Sequence, residues 1–109
     1  MRILFSILIY TIILFIKNQN RGVSMNELYE LIEEKIKASG YPGEIDGREF
    51  YNDISDEADE KENGTYMFII KKTDTLQYQG CMTISDEEFD LHYVDIHSGI
   101  ATYHVDFDA

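Results

Sequence analysis

Between Asn26 and Ser39 the apolar residues Leu28, Leu31, Ile32 and Ile36 recur at intervals of three and four, with Glu30, Glu33, Glu34 and Lys37 mostly on the opposite side. That spacing predicts an amphipathic helix. Gly40 and Pro42-Gly43 end it, because glycine accepts a left-handed C-cap and proline cannot continue a helix. Asp46 then offers an N-cap with Glu49 three residues on, and Phe50, Tyr51, Ile54 and Ala58 make a narrower apolar stripe. A second helix is expected to reach about Glu60, with Asn63-Gly64 closing it.

From Thr65 onward the period changes to two, which predicts strands at about 65–71, 76–84, 88–96 and 100–107. Tyr66, Phe68 and Ile70 share the core phase with Leu76, Tyr78, Met82 and Ile84. A loop of Ser85, Asp86, Glu87 and Glu88 sets Ile84 opposite Phe89 and Met82 opposite Leu91. In the last hairpin, a loop of His97, Ser98 and a left-handed Gly99 keeps Phe89, Leu91 and Tyr93 on the face of Tyr103, Val105 and Phe107. Tyr93 then faces Tyr103, Leu91 faces Val105, His92 faces His104 and Asp90 faces Asp106. The expected fold is α+β: two N-terminal helices packed on one face of a four-stranded antiparallel meander. The other face carries Gln77, Gln79, Cys81, Thr83, Asp90, His92, Thr102, His104 and Asp106, with Met67, Ile69, Val94 and Ile96 as an apolar patch.

The pattern ahead of residue 25 is of another kind. Residues 3–16 are an apolar run too short to cross a bilayer as a helix, which takes about 20 residues. Three readings stand side by side. Arg2 and the apolar run fit a signal peptide, with Gly22 and Ser24 as the small residues before a cleavage. An uncleaved anchor also fits, since Lys17 and Arg21 behind the run favour keeping the rest in the cytoplasm. Thirdly, Met25 is the true start: Arg21-Gly22 can be encoded by a purine run at ribosome-binding distance, and the first helix begins at once. Ser24 and Glu27 form a capping box that argues for Ser24 belonging to the folded unit, although Asn26 can cap instead. The chain therefore divides into an apolar leader, 1–24, and a single acidic domain, 25–109.

Charge sharpens this division. All 21 acidic residues lie after residue 24, against 6 of the 9 basic ones, so residues 25–109 carry a net charge of −15. Such a surface repels the phosphates of nucleic acid and anionic lipid, so direct nucleic-acid binding is not expected, and membrane contact is expected only if residues 3–16 are retained. A single cysteine, Cys81, excludes an internal disulfide and fits a reducing compartment.

Asp53, Asp56, Glu57, Asp59, Glu60 and Glu62 form a dense acidic run on the second helix and its exit, and Asp86, Glu87 and Glu88 form another in a loop. A calcium loop of the EF-hand type fails: counted from Asp59, the third position is Lys61 and the twelfth is Ile70, where a bidentate Glu is required. What remains is a solvated face or phosphate mimicry, with carboxylates about 5 to 6 Å apart along a helix. Like charges at this spacing oppose the helix by about 0.2–0.5 kcal/mol each, more self-repulsion than solubility alone calls for. Tyr29, Tyr41 and Tyr51, off the sheet's core phase, are candidates for hot spots on a rim. The cross-strand set Asp90, His92, His104 and Asp106 has ligand types suited to zinc and forms an alternative metal site. No nucleophile elbow, phosphate-binding glycine loop, HExxH motif or cysteine pair occurs, so no enzyme activity and no cofactor are expected.

The stretches YPGEIDGREFYNDISDEADEKENGTYMF and YVDIHSGIATYHVDFDA resemble small acidic accessory proteins carried on mobile elements of low-GC Gram-positive bacteria. The resemblance spans most of residues 25–109. It implies kinship with anti-restriction and anti-CRISPR inhibitors, many of which imitate the charge of DNA, and it assigns no residue. Together these readings give an acidic cytoplasmic inhibitor that binds a basic protein partner, itself a nucleic-acid-binding protein of host defence. The contacts fall to the helix acids and the Asp86 to Glu88 loop. An immunity-type protein neutralising a basic toxin is the alternative, followed by a metal-binding enzyme or sensor. Secretion or membrane anchoring through residues 1–24 is the alternative location.

Overall fold

The computed structural model describes residues 1–4, 25–59, 61–86 and 88–108. Two helices, α1 (Met25–Ala38) and α2 (Gly47–Asp59), precede the strands β2 (Gly64–Lys71), β3 (Leu76–Ser85), β4 (Glu88–Ser98) and β5 (Ala101–Asp106), and a short strand β1 (Arg2–Leu4) comes before them all. The fold is α+β. The last four strands form an antiparallel meander, and β1 lies antiparallel to Glu88–Asp90 on the edge of β4 that β5 also uses. The rest of the apolar run, its cleavage and anchor readings and the Ser24 cap lie outside the described residues. Among those described, no helix is long and apolar enough to cross a membrane.

Both helices lie on one face of the sheet. Ile32 and Ile36 of α1 and Phe50, Ile54 and Ala58 of α2 join Phe68, Tyr78, Met82, Ile84, Phe89, Leu91, Val94, Ile96, Val105 and Phe107 in one buried cluster. Gly40, at φ 91°, ends α1 in the left-handed conformation that the sequence predicts. At the start of α2 the Asp46 carboxylate accepts the Arg48 N–H at 3.0 Å, and Glu33 of α1 accepts the Gly47 N–H at 2.7 Å. Two carboxylates thus satisfy unpaired donors at the positive end of the helix. Glu49 does not complete a capping box; its carboxylate is held by Lys72. Gly47 is required by a close approach, since a Cβ there would collide with the Tyr29 carbonyl.

The register of the sheet is part expected, part not. Ile84 faces Phe89 and Met82 faces Leu91, as the alternation predicts, although the loop is shorter: Ser85 pairs with Glu88, and Asp86 takes a φ of 56°. Beyond Leu91 the ladder shifts. Cys81 pairs with Tyr93 while Met82 pairs with Leu91, so His92 is an extra residue in β4 without a partner in β3. This bulge exchanges the two faces of the strand downstream. Val94 and Ile96 are fully buried, not members of an outer patch, and Tyr93 is half-buried on the outer side with its hydroxyl 3.6 Å from Met67 Sδ. Met67 and Ile69 are exposed, as expected.

The last hairpin must follow the new phase. Val94 pairs with Val105 and Ile96 with Tyr103, through a two-residue loop of Gly99 and Ile100 in place of the expected three-residue one. Gly99, at φ 61°, is left-handed as predicted and stands at the first central position, where a hairpin turn of the II′ class requires glycine. The expected pairings Tyr93 with Tyr103, Leu91 with Val105, His92 with His104 and Asp90 with Asp106 are therefore replaced.

Candidate functional site

Two groups of polar residues stand out, one at an end of the molecule and one on the outer sheet face. The first is acidic. The Asp86 N–H donates to the side-chain oxygen of Asn63 at 2.9 Å, and Gly64 pairs with Ile84. The exit of α2 and the β3–β4 turn are thereby tied together, so the two acidic runs that the sequence keeps more than 20 residues apart meet at one end. Asp56, Asp59, Glu62 and Asp86 are exposed there. Glu88 is half-buried, and Glu60 and Glu87 lie outside the described residues. Lys61 is the nearest cation by sequence; its ammonium is 3.9 Å from Glu57 and 5.6 Å from the centre of the Tyr66 ring.

Asp53 departs from this group. It turns toward the β2–β3 connection, where the Lys72 ammonium donates to Asp53 at 2.7 Å and to Glu49 at 3.0 Å. These hydrogen bonds, Asp53 first and Glu49 second, hold the lysine well above its ordinary pKa. The three tyrosines suggested as hot spots lie elsewhere: Tyr41 packs edge-on against Tyr103 at 5.4 Å, and Tyr29 meets Tyr51 at 5.8 Å.

The second group is a set of imidazoles and carboxylates on the outer face. The bulge and the shorter hairpin separate the expected quartet. His104 pairs with Asp95, Nδ1 to Oδ1 at 2.6 Å, while Asp106 Oδ1 accepts the Asp108 N–H. His92 instead meets Asp108, Nδ1 to Oδ2 at 2.9 Å, and its Nε2 lies 2.8 Å from the Thr83 hydroxyl, which is 3.0 Å from that of Thr65. The hydrogen bond with His92 is the main cause holding the Asp108 carboxyl below its ordinary pKa. Asp90, His92 and Asp108 offer ligand atoms within 4.8 Å of one another.

The same cluster holds a cation of the chain itself. The Met1 α-ammonium donates to Asp90 Oδ1 at 3.0 Å, to the Leu91 carbonyl at 2.9 Å and to the Phe107 carbonyl at 3.2 Å, with Asp108 Oδ1 at 3.5 Å. Sequence reasoning found Asp90 and His92 but missed Asp108 and His97, which bridges Thr102 and Gln79. The alternation that puts Phe107 inside places Asp108 outside, a signal present in the chain. His97, assigned to a loop, becomes a strand residue when the loop shortens. No family model, curated protein or solved structure matches this chain.

Proposed function

We propose that this chain is an acidic binding protein that occupies a basic surface of a nucleic-acid-binding protein and acts as a stoichiometric inhibitor of it. The observation that carries the reading is the convergence of the helix-exit acids with the β3–β4 turn through the Asn63 to Asp86 hydrogen bond. A groove that binds nucleic acid expects closely spaced negative charge on a rigid support, and Asp56, Asp59, Glu62 and Asp86 provide it on two elements locked together. The net charge of −12 over the whole chain adds long-range attraction to a cationic partner, accelerating association in a salt-dependent way. The lone Cys81 fits a cytoplasmic setting.

The test is capture from cell lysate on the immobilised chain, followed by elution with duplex DNA. Recovery of a nucleic-acid-binding protein that DNA displaces supports the reading. Recovery of one cognate toxin, indifferent to DNA, favours the immunity alternative. A quadruple variant, Asp56→Asn, Asp59→Asn, Glu62→Gln and Asp86→Asn, should lose the partner while keeping its circular dichroism. Undiminished capture by that folded variant refutes the assignment of the interface.

A further inference from the structure

The cluster on the outer face is separate from the acidic end and has the makings of a metal centre. On one edge of β4, β1 covers Glu88–Asp90 and β5 covers Tyr93–Ser98, leaving Leu91 and His92 at the junction. At that junction the Leu91 and Phe107 carbonyls and the Asp90 and Asp108 carboxylates all face the α-ammonium, so four oxygens already surround a positive charge. The bulge places His92 beside them, with one ring nitrogen toward Asp108 and the other on Thr83. We infer that Asp90, His92 and Asp108 form a binding site for a divalent transition-metal ion of the zinc class, which takes the place of the α-ammonium.

Three points support the assignment. First, an imidazole with two carboxylates is a borderline donor set that favours zinc or cobalt over magnesium or calcium, which prefer all-oxygen shells. Second, ligands held about 2.0–2.2 Å from zinc are roughly 3.3 Å apart in a tetrahedron, so atoms already within 4.8 Å reach that spacing by small side-chain rotations. The His92 to Asp108 hydrogen bond opens from 2.9 Å as the ion replaces the bridging proton. Third, a ligating histidine needs its other nitrogen held, and here Nε2–H donates to Thr83 when Nδ1 carries the metal. A double positive charge also balances both carboxylates, where the ammonium balances one. Beside the cluster a cleft of about 110 Å³, lined by Thr83, Ser85, Glu88, Phe89 and Asp90, leaves room for a water or a further ligand in the fourth position.

Calorimetric titration of the full chain with Zn²⁺, and visible spectroscopy with Co²⁺, test this directly. One saturable site and a cobalt d–d band are expected, and both should vanish in His92→Ala and in the Asp90→Asn, Asp108→Asn pair while His104→Ala retains them. Thr83→Val, which keeps the side-chain shape, should weaken binding about 10- to 100-fold. Acetylation of the α-amino group, which removes the competing charge, should tighten it. No saturable signal, full binding by His92→Ala, or equally tight binding of Ca²⁺ would overturn the assignment.

Discussion

The two halves of α2 treat their carboxylates in opposite ways. In the first half, Glu49 and Asp53 converge on Lys72, delivered from the β2–β3 turn on the sheet below. In the second half, Asp56 and Asp59 are exposed at the end where Glu62 and Asp86 join them. The spacing of the acids along the helix is much the same in both. What differs is the neighbouring turn: one brings an ammonium, the other brings another carboxylate. A run of acids in a sequence is therefore not one feature but two, a clamp that fastens the helix to the sheet and a charged end that contributes repulsion to the fold.

The contrast can be broken at its base by loosening the whole helix. Ile54→Ala removes a fully buried side chain midway along α2 and should cost about 2–5 kcal/mol, lowering the urea midpoint and affecting both halves together. The clamp alone is tested at high pH. Burial pushes the Tyr78 hydroxyl, which lies under the clamp, up to about 12, and Lys72 is raised further. Both groups have folded-state values above their unfolded ones. Their stabilisation is thus complete below pH ~10 and is lost as the pH rises beyond it. Melting temperature should fall steeply across that window, and Tyr78→Phe should flatten the fall.

Smaller effects sharpen the comparison. Lys72→Met leaves Glu49 and Asp53 facing each other and should cost about 1 kcal/mol, an amount set by partial solvent exposure and reduced by salt. Smallest is the paired test of neutral amides. Asp53→Asn should destabilise by up to about 1 kcal/mol, whereas Asp56→Asn should change stability by less than about 0.5 kcal/mol or raise it slightly. Equal losses in chemical denaturation would show that the two halves do not differ.

The helices, the meander and the Ile84 to Phe89 register were legible in the chain because each follows from a single unambiguous period. The bulge was not. Phe89, Leu91 and Tyr93 continue one alternation and Val94 and Ile96 begin the other, and Asp95, which the first alternation would bury, is the sign of the change in the chain. Tyrosine can face a core or water, and the ladder with β5 decides: Val94 pairs with Val105 and Ile96 with Tyr103, while Tyr93 pairs with Asp106. The loop length, the imidazole pairing and the expected metal quartet all depend on that phase. The acidic runs were visible residue by residue. Their meeting, and the removal of Asp53 from the set, depend on Asn63 and Lys72, two polar side chains whose partners are about 20 positions away.

The extra residue at position 92 makes the sheet a device with two parities. Upstream of it the odd-numbered residues of β4 point inward, downstream the even-numbered ones do. Deleting that one histidine would remove the bulge and leave a single alternation, Leu91 inward, Tyr93 outward and Val94 inward, so the residues downstream would keep their faces. A residue lost from the regular part, such as Asp95, would instead carry Ile96 outward and His97 inward. Position 92 is therefore a place in β4 where a single missing codon leaves both faces as they are.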